Sequence, residues 1–432
     1  MHLCRLDLKN FRCFSDLSID VNERQIVLIG ANGAGKSTVL DAAALALGSY
    51  LAGIDGVNAN AIQTNDVMER MFFLGSIPNR EPIYPVKIGA IANVKNGKAI
   101  SWSRSLNHEG GRTTVKSARP IMNFATDLQR RVRRADEDVI LPLVAYYGTG
   151  RLWNQKQVHA QKKQVKPIES RFKGYVDCLT ASANEKRMLQ WFSRMTYAQL
   201  QSGRPIPELH AVERAMADCY AGVDRDAETV DVQFDVKSDQ IELLVRNKTK
   251  KDTYLPLNLL SDGLRTILNM VADIAYRMAV LNPQLLGKAL QMTDGVVLID
   301  EIDMHLHPAW QKRILNDLGY IFPKLQFIVT THAPSVLVNI PKENIRILEN
   351  GTAYEADLNT YGREVSTVLR ETMQADVVPE KVRQSYQQFY HAIDQGRLSD
   401  AEQILEQLKK IVGENDENVI EAQFSLDMEK NT

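Results

Sequence analysis

The sequence predicts an α/β fold, and three stretches carry that expectation. "QIVLI" is a short apolar run that leads through "GANGAGKS" into the helix-like "STVLDAAALALGSYL", a strand–turn–helix order. "VVLIDE" and "FIVTT" are two more apolar runs with a helix-like segment between them, as expected of buried parallel strands. From 231 the period becomes two: Val232, Phe234 and Val236, then Ile241, Leu243 and Val245, alternate with polar residues on either side of "KSDQ". That pattern predicts an antiparallel hairpin, so the expected sheet is mixed, with an antiparallel β subdomain.

The other elements follow in order. "LCRLDLKNF" and "LSIDV" read as strands ahead of "QIVLI". Between 51 and 145 the signal is mixed, with strand-like pieces in "VKIGAIANV" and "AISWSRSL". "RRVRR" at 130–134 and the tract 151–187, with nine Lys/Arg against three Asp/Glu, form the most basic region. Glutamines interrupt that tract in "NQKQVHAQKKQ", which reads as a loop. "NEKRMLQWFSRMTYAQLQ" and "PELHAVERAMADCYAGV" predict two helices, "LSDGLR" opens a long helix to about 281, and another helix is expected near 309–319. The tail predicts a helical hairpin. Val382, Tyr386, Phe389, Tyr390 and Ile393 form one stripe; Ile404, Leu405, Leu408, Ile411 and Val412 form the next. A capping box of Ser399 and Glu402 is expected to open the second helix, and Gly413 to close it. The hairpin can pack on its own domain, or serve docking or oligomerisation.

With 432 residues the chain can form two or three cores, and its formal net charge of −1 means that any nucleic-acid affinity must come from a local patch. Four cysteines, Cys4, Cys13, Cys178 and Cys219, make no C-x-x-C, which argues against a zinc ribbon or a disulfide framework. "MHLCRLDLKNFRCF" is too broken by charges to be a signal peptide, and no apolar run approaches the ~20 residues that span a bilayer. The expectation is a soluble cytoplasmic protein with no membrane partner.

"GANGAGKS" fits G-x-x-x-x-G-K-[ST] between a strand and a helix, the setting this phosphate-binding loop requires. Gly30, Gly33 and Gly35, with Asn32 and Ala34 between them, let backbone N–H groups turn inward, and the helix start adds partial positive charge. Lys36 is expected to reach the β and γ phosphates of ATP, Ser37 to hold Mg²⁺, and Thr38 continues the motif. Asp300 at the end of "VVLI" supplies the carboxylate expected near Mg²⁺, and Glu301 a general base for the attacking water. His332 after "FIVTT" falls at the same sheet edge, where it could reach the γ-phosphate or the water, or be structural. Asp303, His305 and His307 have two readings: a zinc site, or a turn ahead of a helix that starts at Pro308. Ser261, Asp262 and Gly263 in "LSDGLR" stand at a second helix N-terminus, 35 residues before Asp300 counting from Arg265. A second anion-binding helix start suggests a γ-phosphate approached from another subunit.

The order of these motifs resembles that of the ABC-type ATPase heads of the SMC and RecF group, over about 1–50 and 230–345. In those terms "LSDGLR" is the signature, with Asp262 where glycine is usual, "IDMHLHP" the D-loop containing Asp303, and His332 the switch histidine. The resemblance implies that two copies sandwich two ATP molecules, each signature facing the other copy's phosphate loop. It also implies that Arg12 in "LKNFRCF" approaches the nucleotide, and Gln63 in "AIQTNDV" is the candidate Mg²⁺-side glutamine, on spacing alone. "LPLVAYYGTGRLW", "LIDEIDMHLHPAWQ", "FIVTTHAPSVL" and the helical tail look more closely like the ATPase subunits of Septu-type and retron-linked anti-phage systems. That family works with a separate HNH nuclease.

The expected layout is therefore a first ATPase lobe at 1–50, a mixed, basic, partly helical insertion at 51–225, a second lobe at 226–375 and a helical tail at 376–432. The leading expectation is an ATP-hydrolysing homodimer, or a higher homo-oligomer, that controls a partner nuclease. A RecF-like repair ATPase binding DNA through 130–187 is the alternative, and a transporter ATPase the weakest reading.

Overall fold

The computed structural model describes residues 1–74, 77–94, 97–150, 170–180, 185–223, 227–247, 252–371, 373 and 379–430. Much of the basic tract, 151–169, lies outside the described residues. The chain divides into two compact units, Met1–Arg363 and Glu364–Thr432.

The larger unit opens with strands β1 (His2–Phe11), β2 (Phe14–Asp20) and β3 (Gln25–Ile29). In β1 the leucines 3, 6 and 8 are buried while Arg5 and Lys9 are exposed, so the strand alternates except at a register shift between Leu3 and Arg5. β3 differs because Ile26 to Ile29 are all buried, which is the mark of a strand covered on both faces. Helix α1 (Lys36–Leu51) follows, and the alanines of "DAAALALG" let it lie close against the sheet. Then come β4 (Glu69–Leu74), β5 (Ile77–Pro82), β6 (Val86–Asn93), β7 (Ala99–Leu106), helix α2 (Arg119–Arg133) and β8 (Leu143–Tyr147). The four-stranded antiparallel sheet has the order β2-β1-β6-β7, and β4 and β5 form a separate ribbon.

Helices α3 (Glu185–Ser202) and α4 (Pro207–Val223) lead into β9 (Ala227–Asp235), β10 (Gln240–Asn247) and β11 (Thr253–Pro256). These strands make the antiparallel sheet β11-β10-β9, with Val232 opposite Leu243 as the period-two pattern requires. Helix α5 (Asp262–Leu281), the short α6 (Ala289–Met292) and β12 (Gly295–Ile299) come next. After them lie α7 (Pro308–Gln311), α8 (Ile314–Ile321), β13 (Leu325–Thr330), α9 (Pro334–Leu337), β14 (Ile345–Glu349) and β15 (Thr352–Glu355). The central sheet has the order β15-β14-β3-β13-β12-β8, parallel except at β15. Helix α1 packs on β12 and β13, and α5 on β8, so the core lies between this sheet and its helices. The fold is thus the expected mixed α/β sheet with antiparallel companions.

One expected helix is broken in two. The segment near 309–319 separates into α7 and α8, and at the link the Lys312 carbonyl accepts the Asn339 amide. Among the described residues, no helix is long and apolar enough to cross a membrane.

The smaller unit holds α10 (Val365–Glu371), α11 (Glu380–Asp394), α12 (Leu398–Val412) and α13 (Glu417–Lys430). Phe389, Leu405, Leu408, Val419 and Leu426 form its core, so the two expected helices pack with a third. The capping box does not form. Gly396 at φ +69° and the Arg397 N–H bond to the Ala392 carbonyl make a tight link that starts α12 at Leu398, with Arg397 in the N-cap position. Ser399 then lies inside the first turn, and Glu402 pairs with Lys430.

Candidate nucleotide site

The phosphate-loop residues Gly30 to Ser37 connect β3 to α1, so the loop starts at the carboxyl end of a central strand and runs into a helix N-terminus. Gly35 stands at φ +95°, and a Cβ there would lie 2.4 Å from the Phe14 ring and 2.8 Å from Cys13 Sγ. Only glycine serves at that point, since both the backbone angle and the packed ring exclude a side chain. Asn32 and Gly33 are exposed at the loop's outer bend, Ala34 is half-buried, and Thr38 Oγ1 faces Cys13 Sγ at 4.0 Å.

Lys36 is buried and folds back on its own loop, donating to the carbonyls of Gly30 at 2.9 Å and Ala31 at 3.1 Å. Burial lowers its pKa from the usual lysine value, against the opposing pull of Asp300, Glu301 and Asp303. Ser37 Oγ donates to Asp300 Oδ1 at 3.0 Å, joining the first turn of α1 to the end of β12. These two residues are 263 positions apart in the chain.

The turn after β12 is held by the end of β13. Thr330 Oγ1 donates to Asp300 Oδ1 at 2.6 Å and accepts the Glu301 N–H at 2.7 Å. Thr331 Oγ1 donates to Asp303 Oδ1 at 2.6 Å. Glu301 has φ +48°, where the chain leaves the strand, and His332 follows β13 with its ring exposed. Asp300 N–H bonds to the Tyr147 carbonyl on β8, and the Tyr147 hydroxyl donates to Asp273 of α5, which also holds Arg277 at 2.7 Å. A buried chain of bonds therefore runs from β12 to the middle of α5.

The zinc reading of Asp303, His305 and His307 does not hold. Asp303 takes the Thr331 hydroxyl, His305 is exposed, and His307 Nδ1 accepts the Ala309 N–H, capping α7 ahead of Pro308. Among the described residues no three His, Cys, Asp or Glu side chains gather as a metal site. Gln311 Nε2 secures this turn from below, donating to the Leu306 carbonyl at 3.1 Å.

Arg12 lies beside the loop at φ +49°, with Nη1 2.5 Å from Asp41 Oδ2 on α1 and Nε 3.0 Å from Asp66 Oδ1. Tyr146 donates to the other Asp41 oxygen at 2.8 Å; burial, then the Asp41 charge, pushes its pKa far up and keeps it a donor. Gln63 caps the short turn Thr64–Asp66, its N–H bonded to Asp66 Oδ2 and its side chain to the Ala61 carbonyl.

Ser261 occupies the N-cap position of α5, exposed and without a side-chain cap. Asp262 is taken by Arg265 at 2.7 Å. A Cβ on Gly263 would lie 2.2 Å from the His305 carbonyl, so the start of α5 and the turn after β12 touch backbone to backbone. The loop, Asp300, Glu301 and the end of β13 thus form one cluster, while Ser261, Asp262 and Gly263 join it only through that turn. Sequence reasoning missed Asp41, Asp66, Tyr146, Thr330 and Thr331. The two threonines had a signal: polar residues closing an otherwise apolar strand just before His332.

The model of the AAA domain family matches residues 5–221, half of the chain. The chain is 25% identical to the Retron Ec83 probable ATPase of Escherichia coli, an alignment covering 99% of this chain and 87% of that protein. It is 40% identical to the Septu protein PtuA of Bacillus mycoides (strain KBAB4) over 24% of this chain and 14% of that one. The SMC head domain from Thermotoga maritima aligns with a TM-score of 0.44 at 16% identity, covering 83% of this chain and 100% of that one. The chain belongs to the AAA domain family and is related to the probable ATPase of a retron and to a Septu protein.

Proposed function

We propose that the chain is a cytoplasmic ATP-driven switch in anti-phage defence: two copies close on ATP and Mg²⁺, and their nucleotide state controls a separate HNH-type nuclease. The observation that supports this reading is that the site is divided. Ser37 and Asp300 meet at the foot of the phosphate loop, whereas the exposed start of α5 is held against the turn after β12. An N-terminus so placed can serve the nucleotide of a second copy.

In this reading the N–H groups of Gly30, Asn32, Gly33, Ala34 and Gly35 hold the phosphates, with Thr38 at the start of α1. Lys36 leaves the Gly30 and Ala31 carbonyls for the phosphates. Ser37 and Asp300, a hydroxyl and a carboxylate 3.0 Å apart, are the hard oxygen pair that suits Mg²⁺. When bound, Mg²⁺ neutralises charge on the transferring phosphoryl group. Glu301 takes the proton of the attacking water, His332 hydrogen-bonds the γ-phosphate, and ATP and water become ADP and phosphate. Arg12 faces the nucleotide, Gln63 the metal side, and Ser261, Asp262, Gly263 and the Asp303 turn face the partner copy. The layout of lobes at 1–50 and 226–375, an insertion at 51–225 and a docking or oligomerisation tail at 376–432 belongs to the same proposal.

The test is to co-express the chain with the product of the adjoining reading frame. An HNH protein that co-purifies, and whose cleavage changes with the nucleotide supplied, is the expected result; cleavage indifferent to nucleotide overturns the reading.

DNA contact is a second reading, favoured by the end of α2, where Arg130, Arg131 and Arg133 are followed by Arg134. Three of these already pair, with Asp127, Asp136 and Asp55 respectively. The Arg130 and Arg133 pairs are exposed and the Arg131 pair half-buried; exposed pairs are worth only about 0–1 kcal/mol, so a phosphate can displace them. Replacing all four with alanine is expected to abolish retention of a labelled duplex in a gel shift, and an unchanged shift removes α2 from any DNA contact.

A further inference from the structure

We infer that Thr330 is a positioning residue for the magnesium-side carboxylate, a role that rests on the reading of Asp300 as a Mg²⁺ partner. Its hydroxyl has one hydrogen and uses it on Asp300 Oδ1 at 2.6 Å, while its lone pair accepts the Glu301 N–H at 2.7 Å. Its carbonyl takes the Ile302 N–H at 3.0 Å. One residue at the end of β13 therefore touches three consecutive residues of the turn after β12. Thr330 is fully buried and Asp300 is 4% exposed, so water has no ready route to replace the hydroxyl.

The arrangement has a direct chemical consequence. Asp300 Oδ1 also accepts from Ser37, the hydroxyl that would hold Mg²⁺ in the proposed reading. With Ser37 so engaged, the Thr330 hydroxyl would still hold the Asp300 carboxylate in place. The same hydroxyl accepts the N–H of Glu301, the residue whose φ of +48° turns the chain away after the strand. Hydrogen-bond partners standing behind a metal ligand typically alter metal affinity or activity by about 10–100-fold when removed. Thr330 also precedes His332 by two residues, so any shift of the end of β13 is passed to Asp300 and Glu301 together.

The experiment uses the full chain and two variants. Thr330→Val keeps the shape and the β-branching that suit a buried strand but removes the hydroxyl; Thr330→Ser keeps the hydroxyl. Binding of a fluorescent ATP analogue is titrated at fixed Mg²⁺, across a Mg²⁺ series, and in excess chelator, alongside ATP turnover and melting temperature. Thr330→Val is expected to need about tenfold more Mg²⁺ for half-maximal binding, with chelator-insensitive binding unchanged and kcat reduced more than KM is raised. Thr330→Ser is expected to return the Mg²⁺ requirement to within about threefold of the unaltered chain. A Mg²⁺ requirement and kcat that survive in Thr330→Val overturn this inference alone, as does an equal loss in both variants. Binding by the unaltered chain that ignores Mg²⁺ overturns the reading of Asp300, and this inference with it.

Discussion

Lys36→Ala is expected to weaken ATP binding by about two orders of magnitude while leaving the fold intact. The ammonium is buried at the head of α1 and occupied by two loop carbonyls, of Gly30 and Ala31. A triphosphate offers it oxygens that carry charge, so an ion pair replaces bonds in which only the donor is charged. Truncating one member of a buried charged pair costs ~2–5 kcal/mol, and every ~1.4 kcal/mol is tenfold in affinity, so about 10²-fold is the lower part of the range. Burial lowers the lysine pKa in the ligand-free state, and phosphate charges act in the opposite direction, so binding favours the protonated form. Alanine is the best helix former, so the first turn of α1 keeps its conformation. The measurement is a titration with a fluorescent ATP analogue, compared with the melting curve of each protein. Binding within threefold of the unaltered chain, at equal melting temperature, would remove Lys36 from the site.

What could be read in the sequence was local. The strand–loop–helix at β3 and α1 declares itself because its strand, glycines, lysine and serine are neighbours in the chain. The same is true of β12 with Asp300 and Glu301, and of the period-two hairpin of β9 and β10. What could not be read depends on distant partners. Arg12 meets Asp41 and Asp66 across 29 and 54 positions, and Tyr146 reaches Asp41 across 105, so no periodicity links them. At the break between α7 and α8 the Lys312 carbonyl is bonded by Asn339, 27 residues away. Helix α13 escaped for another reason: Val419, Ala422 and Leu426 face its core while Ile420, Phe424 and Met428 are exposed. Apolar residues on two sides blur the single stripe that marks an amphipathic helix. The Ser399 and Glu402 pattern failed because the link at Gly396 sets the helix start two residues early, and backbone geometry prevailed over a favourable side-chain pair.

Glu301→Gln is expected to lower ATP turnover by about 10²–10⁴-fold while ATP still binds, because that is the usual contribution of a positioned general base. The substitution suits the site. Glutamine has the shape of glutamate, and the bond from the residue 301 N–H to Thr330 is made by the backbone, so the turn is retained. Both residues meet the same backbone cost at φ +48°, which leaves the lost base as the main difference. With hydrolysis slowed, ATP persists wherever it is bound. If two copies close on it, the start of α5 and the turn after β12, which touch at Gly263 and His305, enter the partner's site as one surface. Sedimentation of the variant with Mg²⁺ and ATP is then expected to show a dimer or larger assembly that the unaltered chain forms only transiently. Phosphate release is measured in parallel. Slow turnover with no change in assembly would keep Glu301 as the base and end the ATP-closed dimer; unchanged turnover would take Glu301 out of the chemistry.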